Sequence, residues 1–422
     1  MKRRKSFFFM AALGLLTVGL TMVSCSTGDD GETMGAYETD GFYLMSIEKG
    51  DGGSVPGGGG SVPSGQPNAQ SHAGVVTAGE WNDLSHWPFW SKLMADTAFL
   101  GYSSYWECYT NLRVPIEVTD DSGKPLANVP VQLVRVANGR QTVLWQAKTD
   151  NTGHADCWVS VWQKSTDANA ASLRVSINGK VMDDQPVVSG WDEQAEPQVN
   201  TYRLNAGIPT VMPKADIAFV VDATGSMTDE INFLKSDLID IISKVSALRP
   251  EQTLRTAALF YRDEGDEYLT VHSNFTADVR STADFVDKQT ANGGGDYPEA
   301  VHTALERMLQ DLTWDDEAGT RLVFLVLDAP AHHKTDVIRS LQQSVGTCAR
   351  MGIRLIPVAA SGVDKNTEFM LRFYAILTGG TYVFLTNDSG VGNPHIEASV
   401  GDYKVELLNE LIIRLIDQYL CK

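Results

Sequence analysis

Basic residues are in short supply. The 422-residue chain carries 34 lysines and arginines against 53 aspartates and glutamates, a formal charge of −19. Four of those cations, Lys2, Arg3, Arg4 and Lys5, sit at the extreme amino terminus and leave the remainder more acidic still. Gripping a phosphate backbone takes a basic face, so nucleic acid is excluded as a partner. Cysteine is scarce too, with five residues in all. What is plentiful is apolar side chain, 43% of the chain, enough for a full core divided at ~100 to 200 residues per domain into two or three units.

The amino terminus reads as an export signal: a basic start, an apolar run from Phe7 to Val23, and "MVSC" ending in Cys25. At ~17 residues the run is near the lower limit for a membrane-spanning helix, and Cys25 decides for export. The segment resembles a bacterial lipobox, which implies that residues 1–24 are removed and Cys25 is lipidated. The acidic residues after Cys25 resemble signals that send lipoproteins to the outer face of the outer membrane. The expected location is therefore the cell surface, with the membrane reached through the lipid. An exported chain can hold disulfides. The remaining four cysteines either pair within their predicted domains, Cys108 with Cys157 and Cys348 with Cys421, or stay as buried thiols.

Residues 25–74 are rich in Gly, Ser, Pro and acid and cannot bury enough apolar surface to order themselves, so they are expected to form a flexible tether. Residues 75–111 gather Trp81, Trp87, Phe89 and Trp90 and read as an arm docked on a neighbouring core. From 112 to 205, apolar residues alternate between turn signals such as "DDSGK" and "DNTG", predicting a small antiparallel β-sandwich. Its segments resemble the immunoglobulin-like modules of bacterial surface proteins. From 214 to 422 near-continuous apolar strands alternate with amphipathic helices, Thr228 to Leu248 and Pro298 to Leu312 among them. That rhythm predicts an α/β fold, a doubly wound and mostly parallel sheet of six strands. Ligands of such sheets sit at the carboxyl ends of the strands.

The stretch "DIAFVVDATGSMTD" carries Asp222 out of the first of these strands into hydroxyl residues. A phosphate cradle, a covalent aspartate and a cation site all begin this way. The glycine-rich loop with lysine that phosphate requires is missing. The second aspartate of a haloacid dehalogenase-like phosphotransferase is replaced by Thr224, and Ser226 lies in no nucleophile elbow. For a cation, Asp222, Thr224 and Ser226 would be joined by Asp328, which ends another strand in "LVFLVLDAPAHH", and by Asp296 in "GGGDYPEA". Hard cations take such oxygen ligands, Mg²⁺ about six of them at ~2.1 Å with several waters. Asp296 also reads as a cap of the helix behind it. Asp263 is expected to form a salt bridge with Arg262 or to lie on a solvated face, with an outer-shell role at the cation as the alternative. His332 and His333 are expected to be ordinary loop residues rather than to rim the site or join a metal cluster.

These motifs resemble the von Willebrand factor type A domain and its metal-ion-dependent adhesion site, across about Lys214 to Leu420. Asp222 and Ser226 match the family's Asp-x-Ser-x-Ser, Thr224 keeps the hydroxyl of its middle serine, and Asp328 matches the later aspartate. The family's loop threonine is replaced, and "GGGD" resembles a branch that includes alpha-kinase-linked proteins. The resemblance implies Mg²⁺ (or Mn²⁺ or Ca²⁺) as cofactor. The implied partner is a protein or extracellular-matrix ligand held through an acidic residue, with no enzyme activity. Two alternatives remain: a structural component of a pilus or secretion apparatus, and a metal-dependent phosphatase or hydrolase using Asp222.

Overall fold

A computed structural model describes residues 76–164, 170–183, 185, 187–188, 197–205, 207–208, 211–389 and 395–420. The expected leader, Cys25, the tether and Cys421 lie outside the described residues.

The chain enters through β1 (Thr77–Trp81), followed by α1 (Trp87–Met94) and α2 (Thr97–Trp106). Seven strands then form two small sheets: β2 (Asn111–Asp120), β3 (Pro130–Ala137), β4 (Arg140–Lys148), β5 (His154–Ser160), β6 (Leu173–Ile177), β7 (Lys180–Val181) and β8 (Asn200–Leu204). One sheet runs β5-β2-β8 and the other β4-β3-β6-β7. Inward-facing Val114, Ile116, Val131, Leu133, Trp158 and Val175 share one core between them. The pairing is not wholly antiparallel as expected, because β8 returns to lie parallel to β2, with Val118 opposite Tyr202.

The larger layer follows as β9 (Met212–Asp222), α3 (Thr228–Leu248), β10 (Thr253–Tyr261), β11 (Thr270–Thr276), α4 (Val279–Val286), α5 (Val301–Asp311) and β12 (Ala318–Leu327). It continues with α6 (Thr335–Met351), β13 (Ile353–Ala359), α7 (Lys365–Thr378), β14 (Tyr382–Leu385), β15 (Glu406–Leu407) and α8 (Leu408–Tyr419). The sheet order is β11-β10-β9-β12-β13-β14-β1-β15, with β9, β10, β12, β13 and β14 parallel. It has eight strands where six were expected, since β15 and β1 extend it. β1 comes from the aromatic arm and pairs antiparallel with β14, Ala78 opposite Leu385. The arm therefore belongs to the sheet itself, and residues 111–204 are inserted between two of its strands.

Side chains of a strand alternate between faces, and β9 divides its apolar residues accordingly. Ile217, Phe219 and Val221 face α3 and α8, while Ala218 and Val220 face α5, α6 and α7. The second core runs on into the small sheets, where Trp162 meets Phe373 of α7 with ring centroids 6.0 Å apart. Burial on both faces explains the unbroken apolar runs of these strands. The parallel direction of β9 and β12 puts their carboxyl ends, from which Asp222 and Asp328 leave, at one edge of the sheet.

The cysteine pairing is corrected. Cys108, Cys157 and Cys348 are all free and buried, and the Cys108 thiol donates to the Trp106 carbonyl at 3.2 Å. Burial pushes all three thiols up. Each packs as a small apolar side chain in a core that has no need of a covalent staple.

Candidate metal centre

Asp222 is the last residue of β9, and its carboxylate is fully enclosed, at 0% exposure. Its Oδ1 accepts two hydrogen bonds from Thr224, the backbone N–H at 2.9 Å and the hydroxyl at 2.7 Å. Those bonds wrap the chain tightly around the strand end and bring the Ser226 hydroxyl within 3.5 Å of that of Thr224. Asp222 Oδ2 has no partner. Asp328, one residue beyond neighbouring β12 and 5% exposed, likewise leaves Oδ1 without one, while the Ser226 hydroxyl beside it favours its charged form.

Two buried carboxylates with unused oxygens repel each other, and each is costly away from water. Burial, and after it the charge of Asp328, pushes Asp222 up to about 7. Burial likewise raises Asp328, against the stabilising bond from Ser226. Tyr261, opposite Asp222 in the β9–β10 register, buries its hydroxyl beside the same carboxylate.

The glycine loop lies against this turn, with Asn292 N–H donating to the Ala223 carbonyl at 2.9 Å and Gly225 N–H to the Gly293 carbonyl at 3.2 Å. Gly293 and Gly294 hold φ of 82° and 76°, the left-handed region that glycine favours. A Cβ at Gly293 would fall 2.4 Å from an oxygen of Asp266, whose Oδ2 accepts the Gly294 and Asp263 N–H groups at 2.9 and 3.1 Å.

Asp296 is exposed on this loop and caps nothing: α5 starts five residues later at Val301, with Ala300 at its N-cap position. The acid that lies with Asp222 and Asp328 is Glu299, which is 3% exposed and has Oε2 without a partner. Burial, then the charges of Asp222, Asp263, Asp328 and Asp266, pushes it up to about 9. Sequence reading missed it because an acid after "DYP" looks like the solvated first turn of a helix.

The expected Arg262–Asp263 pair is not formed. Asp263 Oδ1 lies 2.8 Å from His332 Nε2, and Arg262 instead donates to the Ala223 and Thr290 carbonyls and reaches Glu267 at 3.4 Å. His333 stacks on Tyr105 of α2, with ring centroids 3.6 Å apart. Both histidines are thus committed to loop packing. Among the described residues no group of three or more His, Cys, Asp or Glu side chains is placed to hold a metal ion. The donor set of Asp222, Thr224, Ser226 and Asp328 has only two carboxylates, and its other oxygens are hydroxyls. The unused oxygens of Asp222 and Asp328 fit a hard cation of the Mg²⁺ kind, which asks for oxygen ligands and retains water.

Residues 216–349 match the von Willebrand factor A domain family. An ariadne-like RING finger protein of Acanthamoeba polyphaga mimivirus is 31% identical over 132 residues, 31% of this chain and 13% of that protein. The alpha-protein kinase vwkA of Dictyostelium discoideum is 30% identical over 123 residues, 28% of this chain and 19% of the kinase. The chain thus spans less than a fifth of the length of either relative. Among solved structures, the conserved hypothetical protein BatB from Bacteroides thetaiotaomicron aligns over 49% of this chain and 98% of its own. There the sequence identity is 14% and the TM-score 0.34.

Proposed function

We propose that this chain, whose residues 216–349 carry a von Willebrand factor type A domain, is a surface lipoprotein that binds a protein partner through a divalent cation. The observation that carries this reading is the pair of buried carboxylates at adjacent strand ends, Asp222 and Asp328, each with an oxygen that makes no close hydrogen bond, the Tyr261 hydroxyl standing beside Asp222. Asp222, Thr224, Ser226 and Asp328 would hold the ion, Mg²⁺ or else Mn²⁺ or Ca²⁺. The ion would supply an electrophilic position for an acidic side chain of a protein or matrix ligand.

The protein's own part is to hold those oxygens in place. Thr224 fixes Asp222 through two hydrogen bonds, and the glycine loop braces the turn from outside. A covalent role for Asp222 is disfavoured, because its carboxylate is enclosed and one of its oxygens is already taken up by Thr224. The two small sheets are read as an immunoglobulin-like module that offers spacing and further surface, and Cys25 as the lipid attachment point. Cys25→Ser should release the protein from membranes, and an unmodified Cys25 within an intact leader would remove the anchor from the reading.

The deciding experiment is a pull-down from host and bacterial extracts with wild type and Asp222→Ala, with and without chelator. Loss of one partner by both chelation and substitution, in a protein that stays folded, is the expected result. A partner retained through both treatments would point instead to structural assembly on the cell's own surface.

A further inference from the structure

Glu299 belongs to no helix and no named strand. Its backbone N–H donates to the Pro330 carbonyl at 2.9 Å, and it forms a parallel bridge with Ala331, so its peptide is tied to the segment directly after Asp328. Its side chain turns inward. A Cβ at Gly294 would sit 3.1 Å from Glu299 Oε1 and 3.3 and 3.6 Å from Thr224 Cβ and Cγ2, which places the carboxylate across the glycine from the methyl side of Thr224, whose hydroxyl turns to Asp222. Only glycine lets the two approach so closely.

A carboxylate with one unpartnered oxygen at 3% exposure costs stability unless something outside the protein satisfies it. Among the described residues no cation acts on it, and Arg262 of the neighbouring turn spends itself on two carbonyls and Glu267. The charges of Asp222, Asp263, Asp328 and Asp266 add to that burial. A group so placed calls for a positive charge nearby. Because no three acids among the described residues are close enough to share one ion, direct ligation by Glu299 is not the answer.

We propose that Glu299 supplies the glycine-loop side of the cation centre from the outer sphere, accepting a hydrogen bond from a water of the ion, while Asp296 stays in solvent. Mg²⁺ keeps several waters when protein-bound, and groups that orient ligands from behind are typically worth 10–100-fold in metal affinity. Glu299 is thus a positioning residue, tied through its backbone to the Asp328 segment and lying across Gly294 from Thr224. The inference rests on the cation reading above and sharpens it by replacing the loop residue.

The test is calorimetric titration of the full chain with Mg²⁺ and with Mn²⁺ alone, comparing wild type, Glu299→Gln, Asp296→Ala and Asp222→Ala. Water-proton relaxation of the Mn²⁺ complex is read alongside. Glu299→Gln should weaken binding by about 10–100-fold with the number of Mn²⁺-bound waters unchanged, and Asp296→Ala should bind as wild type does. Melting in chelator should show the glutamine variant folded and at least as stable as wild type, because the amide removes the buried acid on which four others act. Unchanged affinity in Glu299→Gln, an equal loss in Asp296→Ala, or an extra metal-bound water in Glu299→Gln would each overturn the proposal. If wild type binds no better than Asp222→Ala, the failure belongs to the cation reading as a whole.

Discussion

Asp83 grips Arg372 with both carboxylate oxygens, Oδ1 on Nη2 at 2.6 Å and Oδ2 on Nε at 2.9 Å, across 289 positions of sequence. Neither residue sees solvent to any extent, and Arg372 lies fully buried under the Trp90 ring, 5.1 Å from its centroid. The pair ties the segment behind β1 to α7. Arg372 also pairs with buried Glu368 at 3.3 Å and donates to the Ser399 carbonyl, so Asp83→Ala leaves it partly matched and is expected to cost less than the ~3 to 5 kcal/mol of a fully stranded buried charge. Arg372→Met should cost more, because it takes the shared cation from Asp83 and Glu368 together. Chemical denaturation of the two variants checks both statements, and an Asp83→Ala midpoint equal to wild type would refute them.

Within the cation set the order of effects follows charge. Asp222→Ala should abolish Mg²⁺ and Mn²⁺ binding and Asp328→Ala weaken it strongly, whereas Thr224→Ala and Ser226→Ala should cost less, since water can replace a neutral hydroxyl. Asp222→Asn should at the same time melt higher than wild type in chelator, because it deletes one of two repelling buried acids. Titration and melting of the same samples test this pairing of lost binding with gained stability.

Proton linkage gives the centre a pH signature. Asp222 at about 7 and Glu299 at about 9 lie above their ordinary 3.8 and 4.5. In the folded state both keep protons that the unfolded chain has already released. Stability from this source is complete below about pH 4 and is lost as pH rises through 7 and then 9. In chelator the melting temperature should therefore fall from pH 6 to 9 more steeply in wild type than in Asp222→Asn with Glu299→Gln. Saturating Mg²⁺ should flatten the wild-type curve, and cation affinity should rise over the same interval. Parallel curves for the two proteins would count against the shared field of carboxylates.

The buried thiols make a simple chemical forecast. Cys108, Cys157 and Cys348 should resist alkylation in the native protein and take one adduct each after unfolding without reductant. Peptide mapping that recovered Cys108 linked to Cys157 would contradict it.

What the sequence discloses here follows from where the fold's determinants lie. α3 is legible to the residue, Thr228–Leu248, and β9 nearly so, because a helical stripe and a long apolar run each carry their own signal. β1 carries none. "TAGEW" is five residues with a glycine in the middle, and only the exposed edge of β14 makes it a strand. α5 begins at Val301 rather than at Pro298, and the Glu299 amide is taken by the Pro330 carbonyl, a contact between distant loops. The same contact buries Glu299, and a buried acid is what composition argues against. Asp222, Thr224, Ser226 and Asp328 could be found in sequence because each follows directly on a readable strand. Asp296 attracted attention by its neighbours, but the backbone carries it outward.

The strand β1 also sets a timetable. Thr77 and Thr386, whose hydroxyls meet at 2.8 Å, are separated by 309 positions. A ribosome adding ~5 to 20 residues per second would need roughly 15 to 60 s between making one and making the other. Throughout that interval β1, with its buried Ala78 and Trp81, has no sheet to join, while the inserted small sheets are already complete. A chain of this kind depends on its arm before β2 being kept from other partners until β14 has been made.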